Sequence, residues 1–438
     1  MSQASLPKIV SLCKRKGFVF SAAEIYNGIN GIYDYGHLGS LMRDNIKQIW
    51  KKSLQNTRGE IFSLEGSLIG HHDMWKASGH IDNFHDPMID CMNCKKRFRA
   101  DDDNIDTTKP CSHCGSISWT AIRNFNLMFK TNLGALDDGS NVAYLRPETA
   151  QTIFVNFKNV VSTSRARLPF GISQIGKAFR NEITPKQFLF RMREFEQMEI
   201  EWFCREESAM ETFAFWKEKR FAFYKALGVT QSRLRLKDHA KEELAHYSVC
   251  TTDVEYEFPF GWKELEGIAH RGTFDLTQHS LHSKKELAIL NPETNTNETP
   301  VVVESSVGVD RLFLTLLFDS YYEDEMDGET RVVLRLHPAV APIKAAFFPL
   351  TKKIAEPMEA IYHRIKQDIQ DIQFDVTGSI GKRYRRQDEI GTPLCFTFDF
   401  ESLEDNKVTM RDRDTGEQTR IAIDEIVKQI ELKTKISF

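Results

Sequence analysis

The sequence predicts an α+β fold rather than a doubly wound one, and three observations carry that reading. Strand-like and helix-like stretches do not alternate in βαβ fashion. The run from Arg191 to Trp202 alternates like an antiparallel strand with one packed and one polar face. After Leu336 the character of the chain changes, which predicts a separate C-terminal α/β domain of about a hundred residues.

Composition excludes several classes. The 438 residues are 41% hydrophobic and 27% charged, an ordinary globular balance. Lys+Arg 58 against Asp+Glu 62 gives a net charge of −4. That neither favours nor excludes nucleic acid, because a local basic patch suffices. No run approaches the ~18 apolar residues of a membrane span. The first residues, MSQASLPKIVSLCKRKGF, lack an apolar signal core. A cytoplasmic chain with no membrane partner is expected. Eight cysteines then point to thiols or metal rather than a disulfide framework.

In chain order, residues 1–38 are read as loops or hairpin turns, because EIYNGINGIYDYGHLG holds four glycines and three tyrosines. SLMRDNIKQIWKKSLQ reads as a helix, with Leu41, Ile46, Ile49, Trp50 and Leu54 at helical spacing. Its apolar face suits either core packing or a dimer surface. GEIFSLEGSLIG follows as a strand. TAQTIFVNFKNVVSTS reads as one helix, 208–228 as another, and 301–322 as strand, glycine break and buried helix. In the C-terminal part a helix from Met358 to Ile369 is followed by strand-like runs. A last helix is placed around Ile423–Leu432.

Residues 85–124 form an insert with two CxxC pairs, Cys91/Cys94 and Cys111/Cys114, separated by 16 residues. Four thiolates on two such knuckles are the usual tetrahedral set for a structural Zn²⁺.

One motif is a decoy. Gly171 to Ala178 nearly matches GxxxxGK[ST], but Ala178 lacks the Mg²⁺-binding hydroxyl and the following FRNE continues a strand. Without a P-loop, side chains would have to hold a nucleotide. Arg180 and Arg191 can pair with phosphate oxygens, Phe195 can stack on a base, and Glu182 can accept from an exocyclic amine. Glu304 follows three valines on a strand that predicts burial, where a lone carboxylate is costly unless used. Gly308 lets a backbone come close, and Arg311 sits in the first turn of the next helix.

The segments FRNEI…RMREFEQMEIEWF, ESSVGVDRL, YLRPETAQ and ASGHIDNFHDPMIDC together resemble the dimeric class II glycyl-tRNA synthetases, most closely their bacterial branch. KRYRRQDEIGTPLCFTFD and VTMRDRDTGEQTRI extend the likeness into an anticodon-binding domain. The resemblance covers essentially the whole chain. It implies an antiparallel catalytic sheet flanked by helices within residues 1–336, with motif 1 at about 39–70, motif 2 at about 176–203 and motif 3 at about 301–318. The Cys-rich insert 85–124 interrupts this core, and the anticodon-binding domain is placed at 337–438.

The implied activity is ATP-dependent activation of glycine, with Mg²⁺, and transfer to tRNA(Gly) by a homodimer. Arg180 and Arg191 would hold the α-phosphate and Arg311 the γ-phosphate, while Phe195 stacks on adenine and Glu182 reads its amine. Asn181, Phe190, Met192, Arg193, Glu194, Leu265, Gly308, Val309 and Asp310 fall within the same ATP segments, and Glu264 would lie near ATP. Glycine would be held by Glu148, Glu199, Glu304 and Ser306. Glu196, Gln197, Met198, Ser305 and Val307 are their neighbours in the same motifs, and Arg271 and Arg99 are further substrate-side candidates. Lys382, Arg383, Arg385 and Arg386, with Tyr384 interleaved, are the tRNA candidates.

The chain departs from the family pattern at His37, which replaces a proline, at His72, and at Ser305 and Val307, where ESSVG stands for EPSAG. Val307 is expected to alter the wall of the glycine pocket. Two rival readings are a non-catalytic synthetase-like accessory protein binding RNA or DNA, and a class II enzyme for another amino acid. The first should have lost phosphate-binding arginines or pocket acids, and this chain keeps them.

Overall fold

The computed structural model describes residues 4–438 except 56, 58, 101–107, 136–140 and 327–328. The acidic stretch of the insert therefore lies largely outside the described residues. A seven-stranded sheet carries the site, and its strands run across in the order Leu234–Asp238, Cys250–Phe258, Gly261–Gly272, Val301–Gly308, Glu194–Cys204, Phe170–Phe179 and Ile61–Ser63. All pairings are antiparallel except the last, between Phe170–Phe179 and the edge strand Ile61–Ser63.

The central strand Glu194–Cys204 obeys the predicted alternation. Met198, Ile200 and Trp202 enter the main core, where the Trp202 and Trp216 rings meet edge-on at 5.5 Å. Trp216 belongs to the helix Ala209–Ala226, which covers that face. The helix Val309–Ser320 is buried along its length, and Phe313 packs against Phe18 and Tyr35. Burial of this many large apolar side chains, at ~1.5–3 kcal/mol each, is what holds helices and sheet together. The helix His37–Ser53 buries Met42, Ile46, Ile49 and Trp50 in the same core. Its apolar face is core packing.

Three local expectations are corrected. Leu6–Lys16 is a helix, not loop, with Pro7 in its first turn and Gly17 closing it at φ 75°. The helix expected at 149–164 is two helices, Ala150–Val155 and Phe157–Ser164. They break at Asn156, whose side-chain amide donates to the Thr152 carbonyl at 2.8 Å. The basic run Lys382–Arg386 lies on the helix Ile380–Ile390 rather than among strands.

The C-terminal sheet has the order Ile372–Phe374, Ala345–Pro349, Leu394–Phe398, Lys407–Asp412 and Gln418–Ala422, with a core of its own around Phe347, Phe396 and Met358. Val340, Ile343, Ile390 and Ile436 nevertheless pack into the main core. Arg331, on the strand Glu329–Leu334, pairs with Asp388 of the helix Ile380–Ile390 at 3.2 Å, tying the two bodies together. No helix among the described residues is long and apolar enough to cross a membrane.

Candidate functional site: an arginine-lined pocket beside a buried acid cluster

A pocket of about 260 Å³ opens where the central strands meet the start of the helix Val309–Ser320. Arg180, Glu182, Leu189, Phe190, Arg191, Met192, Phe195, Gln197, Glu264, Leu265, Ser306, Gly308, Asp310 and Arg311 line it. All but Leu189 were singled out from the sequence. Arg180 and Arg191 belong to the connection between two strands that end at Phe179 and resume at Glu194. The connection leaves the sheet, which frees both guanidinium groups to turn over it. Arg180 donates from Nε to the Pro147 carbonyl at 3.1 Å and lies 5.2 Å from the Phe195 ring centre. Arg311 lies 4.5 Å from the Phe190 ring centre and donates to the Glu264 carbonyl at 3.0 Å. Arg191 is less committed, since its ion pair with Glu182 is stretched to 4.0 Å.

Asp310 forms the back wall. Its carboxylate accepts from the Tyr35 hydroxyl and the Glu196 amide, the latter at 2.8 Å, and pairs with Arg43 at 3.3 Å. This fixes the helix start against the strand. A Cβ at Gly308 would make only ordinary contact, at 3.6 Å, with Arg311. The protein itself does not demand that glycine, and the open space faces the pocket. Gly176 differs, because a Cβ there would run into the Arg146 guanidinium. Arg146 uses that room to donate to the Lys177 and Gly66 carbonyls at 2.6 and 2.9 Å. The decoy phosphate loop is thus a strand, Phe170–Phe179, whose glycine makes room for Arg146.

Beside the pocket lies a cluster of acids. Glu199, Glu201 and Glu304 present carboxylate oxygens all within 4.8 Å of one another, and Thr149 donates to Glu199. Arg271 donates from Nη1 to Glu304 at 2.9 Å and clamps Asp275 through Nε and Nη2 at 2.7 and 2.8 Å. Glu148 accepts from Gln151 at 3.1 Å and pairs with His80 at 3.3 Å. Burial pushes its carboxyl up, but His80, Arg271 and Gln151 prevail and hold it well below the usual range. Burial and then the Glu304 charge push Glu199 and Glu201 well above it.

Some predicted residues do not reach the pocket. Successive side chains of a strand point to opposite faces, so a contiguous motif cannot present every member. Glu196 turns to Arg43 at 2.9 Å and Lys47 at 3.5 Å, while Met198, Val307 and Val309 are core. Ser305 faces Glu266 behind the sheet at 2.5 Å. Arg193 is spent on the Asn30 and Glu182 carbonyls at 2.6 and 2.9 Å, and Glu194 on Lys177. The Asn181 backbone N–H donates to the Leu127 carbonyl at 2.7 Å. Arg99 pairs with Asp86 at 3.1 Å on the insert's sheet.

The basic run is corrected likewise. On a helix, positions 383, 384 and 387 share the inner face. Arg383 is 3% exposed and donates to the Pro349 and Leu350 carbonyls. Tyr384 bonds Thr397 at 2.6 Å, and Arg386 bonds Asp375 at 2.6 Å. Lys382 is exposed.

The four insert cysteines converge. Sγ of Cys91 lies 3.5 Å from that of Cys114, and Cys94 lies 3.8 Å from Cys111. A tetrahedron with Zn–S bonds of about 2.3 Å has edges near 3.8 Å, whereas a disulfide needs about 2.05 Å. The two knuckles are built alike, with the Lys95 and Gly115 amides returning to Cys91 and Cys111 and both residues at positive φ. The set fits Zn²⁺. Purified protein is expected to carry one zinc per chain, measured by metal analysis, and Cys94→Ser with Cys111→Ser to carry none.

The family profile described as tRNA synthetase class II core domain (G, H, P, S and T) matches residues 129–321, and that described as anticodon binding domain matches 339–433. Over 459 aligned positions the chain is 50% identical to a glycine–tRNA ligase of Caldanaerobacter subterraneus subsp. tengcongensis, covering 99% of both proteins. It is 48% identical to that of Bacillus cereus, covering 98% of this chain and 99% of the relative. With Clostridium acetobutylicum the identity is 47%, covering 99% of each. The chain belongs to the bacterial glycine–tRNA ligase family. Its α+β fold is the class II core followed by an anticodon-binding domain.

Within a glycine–tRNA ligase the departures gain a physical reading. His37 opens the helix His37–Ser53, the position where proline suits a helix because its missing donor would have no partner. Val307 points into the core, on the opposite face of its strand from Glu304 and Ser306, so its expected effect on a pocket wall is corrected. Ser305 supplies a hydroxyl to the buried Glu266 that proline lacks. Residues the sequence reading passed over are Arg146 and His80, while Glu201 was placed on the polar face without a role. All three lie in quoted motifs, YLRPETAQ, ASGHIDNFHDPMIDC and RMREFEQMEIEWF, and motif membership was the available signal.

Proposed function

We propose that the arginine pocket holds ATP and the acid cluster holds glycine, so that one sheet face serves both steps of a glycine–tRNA ligase. The chain is a glycine–tRNA ligase. The glycine carboxylate attacks the α-phosphorus of ATP and pyrophosphate leaves. A terminal ribose hydroxyl of tRNA then attacks the acyl carbon and AMP leaves. The observation that carries the division of labour is adjacency: Ser306 and Gln197 line the pocket, while Glu199 and Glu304 on the same two strands lie in the acid cluster.

In this reading Arg180 and Arg191 bind the α-phosphate and stabilise the charge that develops on it. Arg311 binds the γ-phosphate, and Phe195 stacks on adenine beside Glu182. Mg²⁺, with Glu264 nearby, supplies charge neutralisation for the leaving pyrophosphate when bound. Glu148 and Glu304 take the ammonium, with Arg271 orienting Glu304 and Ser306 completing the cavity. Glycine is selected by these charges and by refusal of a methyl group.

Lys382, exposed on the helix Ile380–Ile390, and the half-buried Arg385 on the same helix contact tRNA(Gly). The chain pairs as a homodimer along the exposed edge strand Ile61–Ser63, where a groove of about 390 Å³ lies beside unpaired strand edge. Eight unpaired cysteines fit a reducing cytoplasm. Purified protein, sedimenting at twice its 50.6 kDa, should exchange pyrophosphate into ATP with glycine alone. Equal exchange with alanine or serine would overturn the pocket reading, and a monomer the dimer reading.

A further inference from the structure

Glu201 is a buried acid without a partner. It is fully buried, and neither carboxylate oxygen has a hydrogen-bond partner among the described residues. The sheet register places it directly opposite Glu304 on one side and opposite Ile172 on the other. Glu199, two residues earlier, points to the same face. Like charges directly opposite on paired strands repel, and an unpaired buried carboxylate is costly.

The surrounding elements do not supply enough positive charge. The strand Gly261–Gly272 brings Arg271, whose bonds go to Asp275 and Glu304, and none reaches Glu201. The helix Phe274–Ser283 brings Asp275, a further acid, and the segment before Ala150 brings Glu148, already paired with His80. The strand Phe170–Phe179 brings uncharged Gln174 and Ile172. Arg146 donates to Gln174 and backbone carbonyls. Tyr247 covers the Arg271 guanidinium at 3.8 Å.

We propose that Glu201 is a positioning residue for glycine: it stays a neutral carboxylic acid whose hydrogen is directed to the Glu304 carboxylate, orienting Glu304 toward the substrate ammonium. This rests on the reading that Glu304 receives that ammonium. The proton removes one negative charge from beneath the pocket and gives Glu304 a donor opposite Arg271. Burial and the Glu304 charge both favour it.

Glu201→Gln keeps a neutral donor of nearly the same shape, whereas Glu201→Ala removes it. Both are measured in the full-length protein by pyrophosphate exchange from mildly acidic to alkaline pH, against glycine and against ATP. Wild-type KM for glycine should rise on the order of tenfold toward alkaline pH as Glu201 loses its proton, a factor equal to one unit of pKa. Glu201→Gln should stay flat and near the wild-type acidic value. Glu201→Ala should be weak throughout, and KM for ATP should not move. Loss of glycine affinity in Glu201→Gln as large as in Glu201→Ala would overturn the proposal.

Two further readouts do not depend on glycine. The infrared carbonyl band of protonated carboxylic acids, to which the buried Glu199 also contributes, should be smaller in Glu201→Gln than in wild type by the share of one acid; no change in that band would overturn the proposal. The unfolded chain releases this proton above the ordinary carboxylate range while the folded chain keeps it. Wild-type stability should therefore fall relative to Glu201→Gln as pH rises through that window, and stop falling above Glu201's own raised pKa. A wild-type protein that exchanges with no amino acid would instead count against the proposed function, and the infrared band would still decide the protonation.

Discussion

Arg191→Ala is expected to lower glycine-dependent pyrophosphate exchange by about 10²–10³-fold, the usual loss for a group that stabilises developing charge. Thermal unfolding should hardly change. The Arg191 side chain is 40% exposed and its ion pair with Glu182 spans 4.0 Å, so little folding energy depends on it; such surface changes usually stay within about 0.5 kcal/mol. Arg180 provides the contrast. It is bonded to the Pro147 carbonyl and lies between the Phe84 and Phe195 rings, so its removal should disturb both the loop carrying Glu148 and catalysis. The split between kcat and KM separates the roles, because a group acting only in the transition state lowers kcat and kcat/KM together. A variant with wild-type kcat would remove Arg191 from the mechanism.

Glu266→Ala is expected to destabilise the protein by about 3–5 kcal/mol, read from denaturant midpoints, because it strands a buried cation. Arg220 and Glu266 are both fully buried, with Nε–Oε1 at 2.6 Å and Nη2–Oε2 at 3.3 Å. Tyr224 and Ser305 also donate to Glu266, and Ser53 accepts from Arg220 at 3.0 Å. The network joins two helices to two strands behind the face that carries the pocket. Glu266→Gln keeps an acceptor and should be milder. A loss below about 1 kcal/mol for the alanine variant would mean that water or repacking satisfies Arg220.

How much of the site was legible depends on the kind of residue. Phe195 and Glu304 could be read from strand alternation and Arg311 from the glycine break before its helix, whereas Arg180 and Arg191 lie off the strands and were legible only through their motif. Glu196, Ser305 and Val307 were misplaced because a motif is contiguous whereas a strand shows alternate members to each face. Glu201 was seen on the polar face, but its significance depends on Glu304 lying opposite, a pairing across 103 residues of chain. The helices Leu6–Lys16 and Ile380–Ile390 were missed despite ordinary signals. Ser5 and Ser379 precede them, Gly17 and Gly391 close them, and the apolar spacing of Ile9, Leu12 and Cys13 is helical. Tyrosine-rich and arginine-rich neighbourhoods drew the reading elsewhere.

The sequence by itself determined the fold class, the four-cysteine insert, the reaction family and the arginines that line the pocket, because each rests on local periodicity, spacing or motif. Only the tertiary structure decided which charges are spent and which are available. Arg383 looks like Lys382 in one dimension, yet one is buried against carbonyls and the other meets solvent. Glu199 and Glu201 look like surface acids in one dimension, yet with Glu304 they converge within 4.8 Å. A charge acquires its energy from its burial and partners, and those are set by strands and helices that are distant in sequence.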